Sequence, residues 1–162
     1  MTVSNKVHLD RLSYVIYEHP DISAFLSFAD DFGFEVADKS EEGNVFLRGY
    51  GADPYIYIAR QAPSGQQKRF CGSGFRAKTE SDFERACNIE GAQVSDISNR
   101  PGGGKMVSLP DVNGFELQIV FGQEERIVPS KGVSNVYDGR PNVNGAVNKV
   151  RKGEYIPHPD KK

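Results

Sequence analysis

Chemistry in this 162-residue chain would have to come from two cysteines, three histidines and a few charged or phenolic side chains set into apolar runs. Cys71 is a nucleophile only if a base draws off its proton, and no histidine is close to it in sequence. Strand parity also turns it away from the side that Gly72 faces, so a structural thiol is the plainer reading. His8, His19 and His158 fall in an N-terminal segment, a His-Pro turn and a C-terminal tail, and no two have ligand spacing. Cys71 and Cys87 are too few and too far apart for a disulfide framework or a thiolate zinc site. Arg48 lies inside an apolar run. Facing a cavity it would orient a carboxylate or phenolate ligand, and facing solvent it would do neither. Tyr55 and Tyr57 share strand parity with Tyr50 nearby, which suits either an aromatic wall for a flat ligand or ordinary sheet packing. Pro101-Gly102-Gly103-Gly104-Lys105 has the glycines of a phosphate loop without its Gly-Lys-Ser/Thr ending. It precedes a strand, so it reads as a hairpin turn.

The elements that hold these residues come in two rounds. Tyr14-Val15-Ile16-Tyr17 leads through Asp21 and Phe25 to Gly33-Phe34-Glu35-Val36. Gly72-Ser73-Gly74-Phe75 leads through Thr79 and Phe83 to Gly91-Ala92-Gln93-Val94 at the same offset throughout. One offset kept through strand, turn, helix and the next strand identifies two copies of one supersecondary unit. In the first copy, residues 11–18 are a β-branched and aromatic strand, and Asp21 caps a helix carrying Phe25, Phe28 and Phe32 that stops at Gly33. Strands follow from Phe34, over 45–50 and over 55–59. In the second, 70–77 is a strand, Ser81 or Thr79 caps a helix from 82 to about 90, and strands follow from Val94, over 105–109 and over 115–121. The expected fold is α+β: a βαβββ module over 10–61, a second over 68–122, and an extended arm or linker over 123–162. That last stretch is broken by Pro129, Gly132, Gly139, Pro141 and Gly145.

Composition narrows the partners. A net charge of −2 supplies no electrostatic case for nucleic acid or an anionic membrane. No apolar run reaches a membrane span, and the first residues lack the apolar core of a signal peptide. A reduced, cytoplasmic protein is the expectation. Open strand edges make a homodimer the expected assembly.

The stretch Leu109-Pro110-Asp111-Val112-Asn113-Gly114-Phe115-Glu116-Leu117 is similar to the Asp-Pro-x-Gly-Asn-x-x-Glu-Leu turn-strand of the vicinal oxygen chelate superfamily, which includes glyoxalase I, bleomycin-resistance proteins and extradiol dioxygenases. Phe25 through Gly33-Phe34 resembles that family's helix end. Phe46-Leu47-Arg48-Gly49 and the tail after Phe121 look most like the N-terminal domain of two-domain extradiol dioxygenases. The resemblance covers about residues 10–122. It implies two modules edge to edge around a half-open cavity, with metal ligands on the first and last strand of each module. Mapped here, those positions fall on Tyr14, on Ile56 or Ile58, on Gly72 and on Glu116, and only Glu116 matches. No metal and no cofactor are therefore expected.

Three readings stay open. The chain could be a non-catalytic domain like that N-terminal half, with the catalytic half in a following domain or a separate subunit. It could be a stand-alone, metal-independent enzyme acting on a small aromatic or polyketide-like compound. Glu116 would then be the general base and Tyr14 a phenol acid or donor, with Arg48, Tyr57 and Gly72 contacting substrate. It could also be a small-molecule binder that sequesters without catalysis. Against the catalytic roles stand plainer ones: Glu116 as a relic ligand bonded to a neighbour such as Tyr14 or Arg48, and Tyr14 as a plug in the space a metal site left.

Overall fold

The β-branched and aromatic run after His8 forms β1 (Leu9–His19), which ends at Pro20, a residue with no N–H to extend a ladder. The computed structural model describes residues 6–128. Asp21 starts α1 (Ile22–Asp31), its carboxylate accepting the Ala24 N–H at 2.9 Å. Three strands follow: β2 (Glu35–Lys39), β3 (Val45–Arg48) and β4 (Tyr57–Gln61). The second copy runs β5 (Arg69–Ala77), α2 (Glu80–Cys87), β6 (Gln93–Asp96), β7 (Lys105–Leu109) and β8 (Glu116–Phe121). The repeat is physical. Thr79 caps α2 as Asp21 caps α1; Gly33 follows the α1 cap directly and Gly91 closes the turn four residues past the end of α2, both at φ 81°, a conformation that favours glycine.

All eight strands form one sheet in the order β2-β3-β4-β1-β5-β8-β7-β6. Each module sets its first and last strands side by side and parallel, β1 with β4 and β5 with β8. The modules meet along antiparallel β1 and β5, where Tyr14 lies opposite Gly74, Val15 opposite Ser73 and Ile16 opposite Gly72. Alternation along the strands then sorts the core. Val45, Leu47 and Ala59 pack with Ala29 of α1, and Val107 and Ile119 pack with Phe83 and Ala86 of α2. Their neighbours Phe46, Ile58, Met106 and Val120 turn to the other face and join Tyr14, Ile16 and Tyr55. The face that carries no helix, which the resemblance makes a cavity, thus has a floor of buried side chains.

Several boundaries move. β4 starts at Tyr57 rather than Tyr55, because Pro54 and the bends around it occupy the approach. Thr79, not Ser81, is the cap, and α2 ends at Cys87 rather than near Glu90. Residues 123–126 are tied to the modules. Gln123 bonds the Tyr55 hydroxyl, the Glu124 N–H reaches the Gly102 carbonyl, and Arg126 donates to the Gly49 and Gly51 carbonyls. Glu125 bridges Arg11 and Arg76, which face each other across the β1–β5 seam. The rest of the expected arm, 129–162 with His158, lies outside the described residues.

Candidate functional site

Three of the positions where the resemblance puts ligands, Tyr14, Gly72 and Glu116, lie on the central strands β1, β5 and β8, and the register bears on the choice between Ile56 and Ile58. Gly72 pairs with Glu116 across β5 and β8. On the other side Val15 pairs with Tyr57 and donates to the Ile56 carbonyl at 3.2 Å, so Ile56, not Ile58, is the counterpart of Glu116.

Tyr14 is 1% exposed. Its ring lies against Gly74, where any Cβ would collide with it, and packs on Tyr55 at 4.9 Å between centroids. The hydroxyl donates to Gln118 Oε1 at 2.6 Å. Burial, and next the neighbouring Tyr55 phenol, hold the Tyr14 pKa well above the ordinary phenol value. Tyr14 is therefore a neutral donor with its proton already committed. At Gly72 an added Cβ would collide with the main-chain carbonyl of Glu116, so no side chain fits there while the two strands stay paired.

Glu116 is not isolated in an apolar pocket. Its side chain is 38% exposed, and Arg60 grips both oxygens, Nη1 on Oε1 and Nη2 on Oε2, the latter at 3.1 Å. Gln118 Nε2 adds a bond to Oε2 at 3.0 Å, and Arg60 Nε donates to Asn44 Oδ1 at 2.8 Å. Burial works against the Arg60 charge, but the Glu116 carboxylate more than offsets it and raises the guanidinium pKa. A hydrogen-bonded chain thus runs Asn44, Arg60, Glu116, Gln118, Tyr14, crossing from one module to the other twice. Arg60 and Gln118 were missing from the sequence candidates. The available signal was parity: Arg60 falls in phase with Ile58, and Gln118 with Val120, on the face opposite the helices.

The remaining candidates go elsewhere. Arg48 pairs with Glu35 at 3.0 Å across β2 and β3, not with Glu116. Tyr57 lies under α1, stacked on Tyr17 at 5.6 Å and Phe25 at 5.2 Å, whereas Tyr55 packs on the opposite face with Tyr14 and Phe46. The expected shared wall fails because the bend before β4 reverses their parity. His19, buried beside Phe25 at 3.7 Å, contacts the Tyr57 hydroxyl through Nε2 at 2.9 Å. Burial first, then Lys68, lowers its pKa. A bulge between Gly72 and Phe70 makes Cys71 the extra residue and brings it into the Tyr14 cluster, a place strand parity did not assign it. Burial, and next Glu18, raise its thiol pKa. Pro101–Lys105 is the β6–β7 hairpin turn, with Gly102, Gly103 and Gly104 all at positive φ.

A cleft of about 560 Å³ opens between the β2–β3 turn and the β6–β7 loop. Phe46, Ile97, Met106 and Arg100 line it below, and Asp38, Lys39, Glu41, Glu42 and Asp96 stand around its polar edge. A more open groove of about 610 Å³ follows β6 past Val94 and Phe121, away from the Arg60–Glu116 pair. Among the described residues, no three His, Cys, Asp or Glu side chains are grouped as a metal ion requires, and no helix is long and apolar enough to cross a membrane.

No protein-family model matches the chain, and no curated protein matches it. Solved structures do. Homoprotocatechuate 2,3-dioxygenase from Arthrobacter globiformis superposes with a TM-score of 0.63 at 16% identity, over 93% of this chain and 52% of that one. The Mn(II)-bound glyoxalase from Novosphingobium aromaticivorans gives 0.60 at 18% identity, over 77% and 44%. A variant of the Brevibacterium fuscum dioxygenase gives 0.59 at 17%, over 75% and 35%. The chain thus spans between about a third and a half of these structures. The dioxygenase and the glyoxalase are both vicinal oxygen chelate proteins, and that is the fold of this chain.

Proposed function

We propose that this chain is a vicinal-oxygen-chelate domain whose ancestral metal position has been given over to an ion pair, and that it works as a regulatory or scaffolding module beside a catalytic domain or subunit. The observation that carries the reading is the two-toothed grip of Arg60 on Glu116, which sets a fixed organic cation against the one carboxylate matching the family pattern. The four ligand positions make a poor donor set for a divalent metal. They hold one engaged carboxylate, one buried phenol whose proton is already donated, one isoleucine and one glycine with no room for a side chain. The acid–base reading is disfavoured by the Arg60 guanidinium already paired with Glu116 and by the burial of Tyr14.

Small-molecule binding is a second reading, favoured by the 560 Å³ cleft, a volume within the usual range for ligand sites. The expected homodimer keeps its physical basis in β2 and β6, the two exposed edges of the sheet. Thermal unfolding of the wild type and Glu116→Gln, each with and without Fe(II), Mn(II) or Zn(II), tests the first reading. The expected result is a lower melting temperature for Glu116→Gln and no metal-dependent rise in either protein. A rise in the wild type that Glu116→Gln abolishes would overturn it.

A further inference from the structure

Arg100 differs from every other arginine among the described residues. Arg11, Arg48, Arg60, Arg69, Arg76 and Arg85 each hold a carboxylate, and Arg126 holds two backbone carbonyls. Arg100 has neither. It reaches the Met106 thioether at 3.6 Å, lies over the Phe46 ring at 5.8 Å and is within hydrogen-bonding reach of the Tyr55 phenol, with the Tyr14 phenol in its field. A thioether is a weak acceptor, a ring face takes only part of a cation's field and a neutral phenol serves one donor, so the five-donor planar fork is left without an anion. This guanidinium lies half-buried in the lower part of the cleft. Above it Asp38, Glu41, Glu42 and Asp96 form no salt bridge with it, with Lys39 or with any other described residue. Opposite charges therefore share one cleft without pairing.

We propose that this cleft binds a short zwitterion with an apolar body, an amino-acid-like or dipeptide-like molecule, its carboxylate in the Arg100 fork, its body on Phe46 and Met106 and its ammonium among the rim carboxylates. A planar carboxylate matches the fork in two bonds, which a spherical anion does not. A bare anion meets four carboxylates against Lys39 and Arg100 in the same cleft, and a bare cation leaves Arg100 without an anion, so the bipolar molecule is selected over both. The inference rests on the small-molecule-binding reading above.

The test is an amide-resolved NMR titration of the full chain with the dipeptide Ala-Phe, its N-acetyl form, its C-terminal amide and the doubly blocked form. The expected result is that Ala-Phe shifts resonances around Phe46, Arg100 and Met106, that each singly blocked form binds at least tenfold more weakly, and that Arg100→Met loses the discrimination between acid and amide. Arg100→Lys, which keeps the charge and loses the fork, should fall between and guards against a folding defect in the methionine variant. Equal binding of the doubly blocked form would overturn the charge assignment while leaving a binding cleft. No shift with any of the four would overturn both this inference and the binding reading.

Discussion

The two modules share one backbone plan and spend it in opposite ways. At the first strand, module one carries Tyr14 and Ile16 where module two carries Gly72 and Gly74. The antiparallel seam sets Tyr14 on Gly74 and Ile16 on Gly72, so the bulk of one copy fills the vacancy of the other. At the last strand the polarity reverses. Module one offers Ile58 and, just before the strand, Ile56; module two offers Glu116 and Gln118, and these carboxylate and amide groups bond back to Arg60 and Tyr14 of module one. A duplicated fold that could hold a symmetric ligand set instead holds complementary halves. Its centre is an inter-module joint, and a cleft of about 560 Å³ lies beside it at Arg100.

The largest effect should come from giving module two a side chain at its empty position. Gly72→Ala forces a Cβ into the Glu116 carbonyl, so β5 and β8 must separate. A loss of about 3 kcal/mol, at the upper end of overpacking costs, is expected in urea unfolding. A loss under about 0.5 kcal/mol would show that the joint is loose. Next, Gly74→Ala displaces the Tyr14 ring and should cost about 2 kcal/mol. In a Tyr14→Leu background most of that cost should vanish, giving a coupling of about 1–2 kcal/mol in a double-mutant cycle. Independent effects would break the idea that one module fills the other.

Tyr14→Phe should cost about 1–2 kcal/mol by leaving the buried Gln118 oxygen without its donor. The ion pair is smaller still, because Glu116 is more than a third exposed. Arg60→Met or Glu116→Leu alone should each cost about 1 kcal/mol, and the double change should return to within about 0.5 kcal/mol of the wild type. The modules also differ in acid. His19 of module one has a lowered folded pKa, so its unfolded form protonates first. Stability is full above about pH 6.5 and falls as pH drops through that value toward the folded pKa. Asp82 of module two is held well below the usual carboxylate range by Thr79 first and then by His8, so its contribution persists above that range and is lost only in strong acid. Between pH 7.5 and 5.5 the urea midpoint should therefore drop in the wild type and stay flatter in His19→Gln.

The repeat was legible because strand alternation, helix caps and terminal glycines are local signals: Asp21 and Thr79 cap their helices and Gly33 follows the first, while Gly91 lies beyond the end of α2 because that helix stops at Cys87. The positions of Tyr14 and Glu116 at the centre were readable for the same reason. Their partners were not. Gln118 and Arg60 reach them across strand pairs from far along the chain, and sequence spacing carries no information about such bonds. Tyr57 was assigned to the wrong face because a single bend before β4 reverses parity, and Cys71 because a bulge does the same.

Metal analysis of the full chain, purified without chelator or histidine tag, bears most directly on the claim that Arg60 has taken the cation's place. Iron, manganese, nickel and zinc are expected far below one equivalent, unchanged in Arg60→Met. Near-stoichiometric metal that disappears in Glu116→Gln would contradict it and return a metal-dependent centre to these strands.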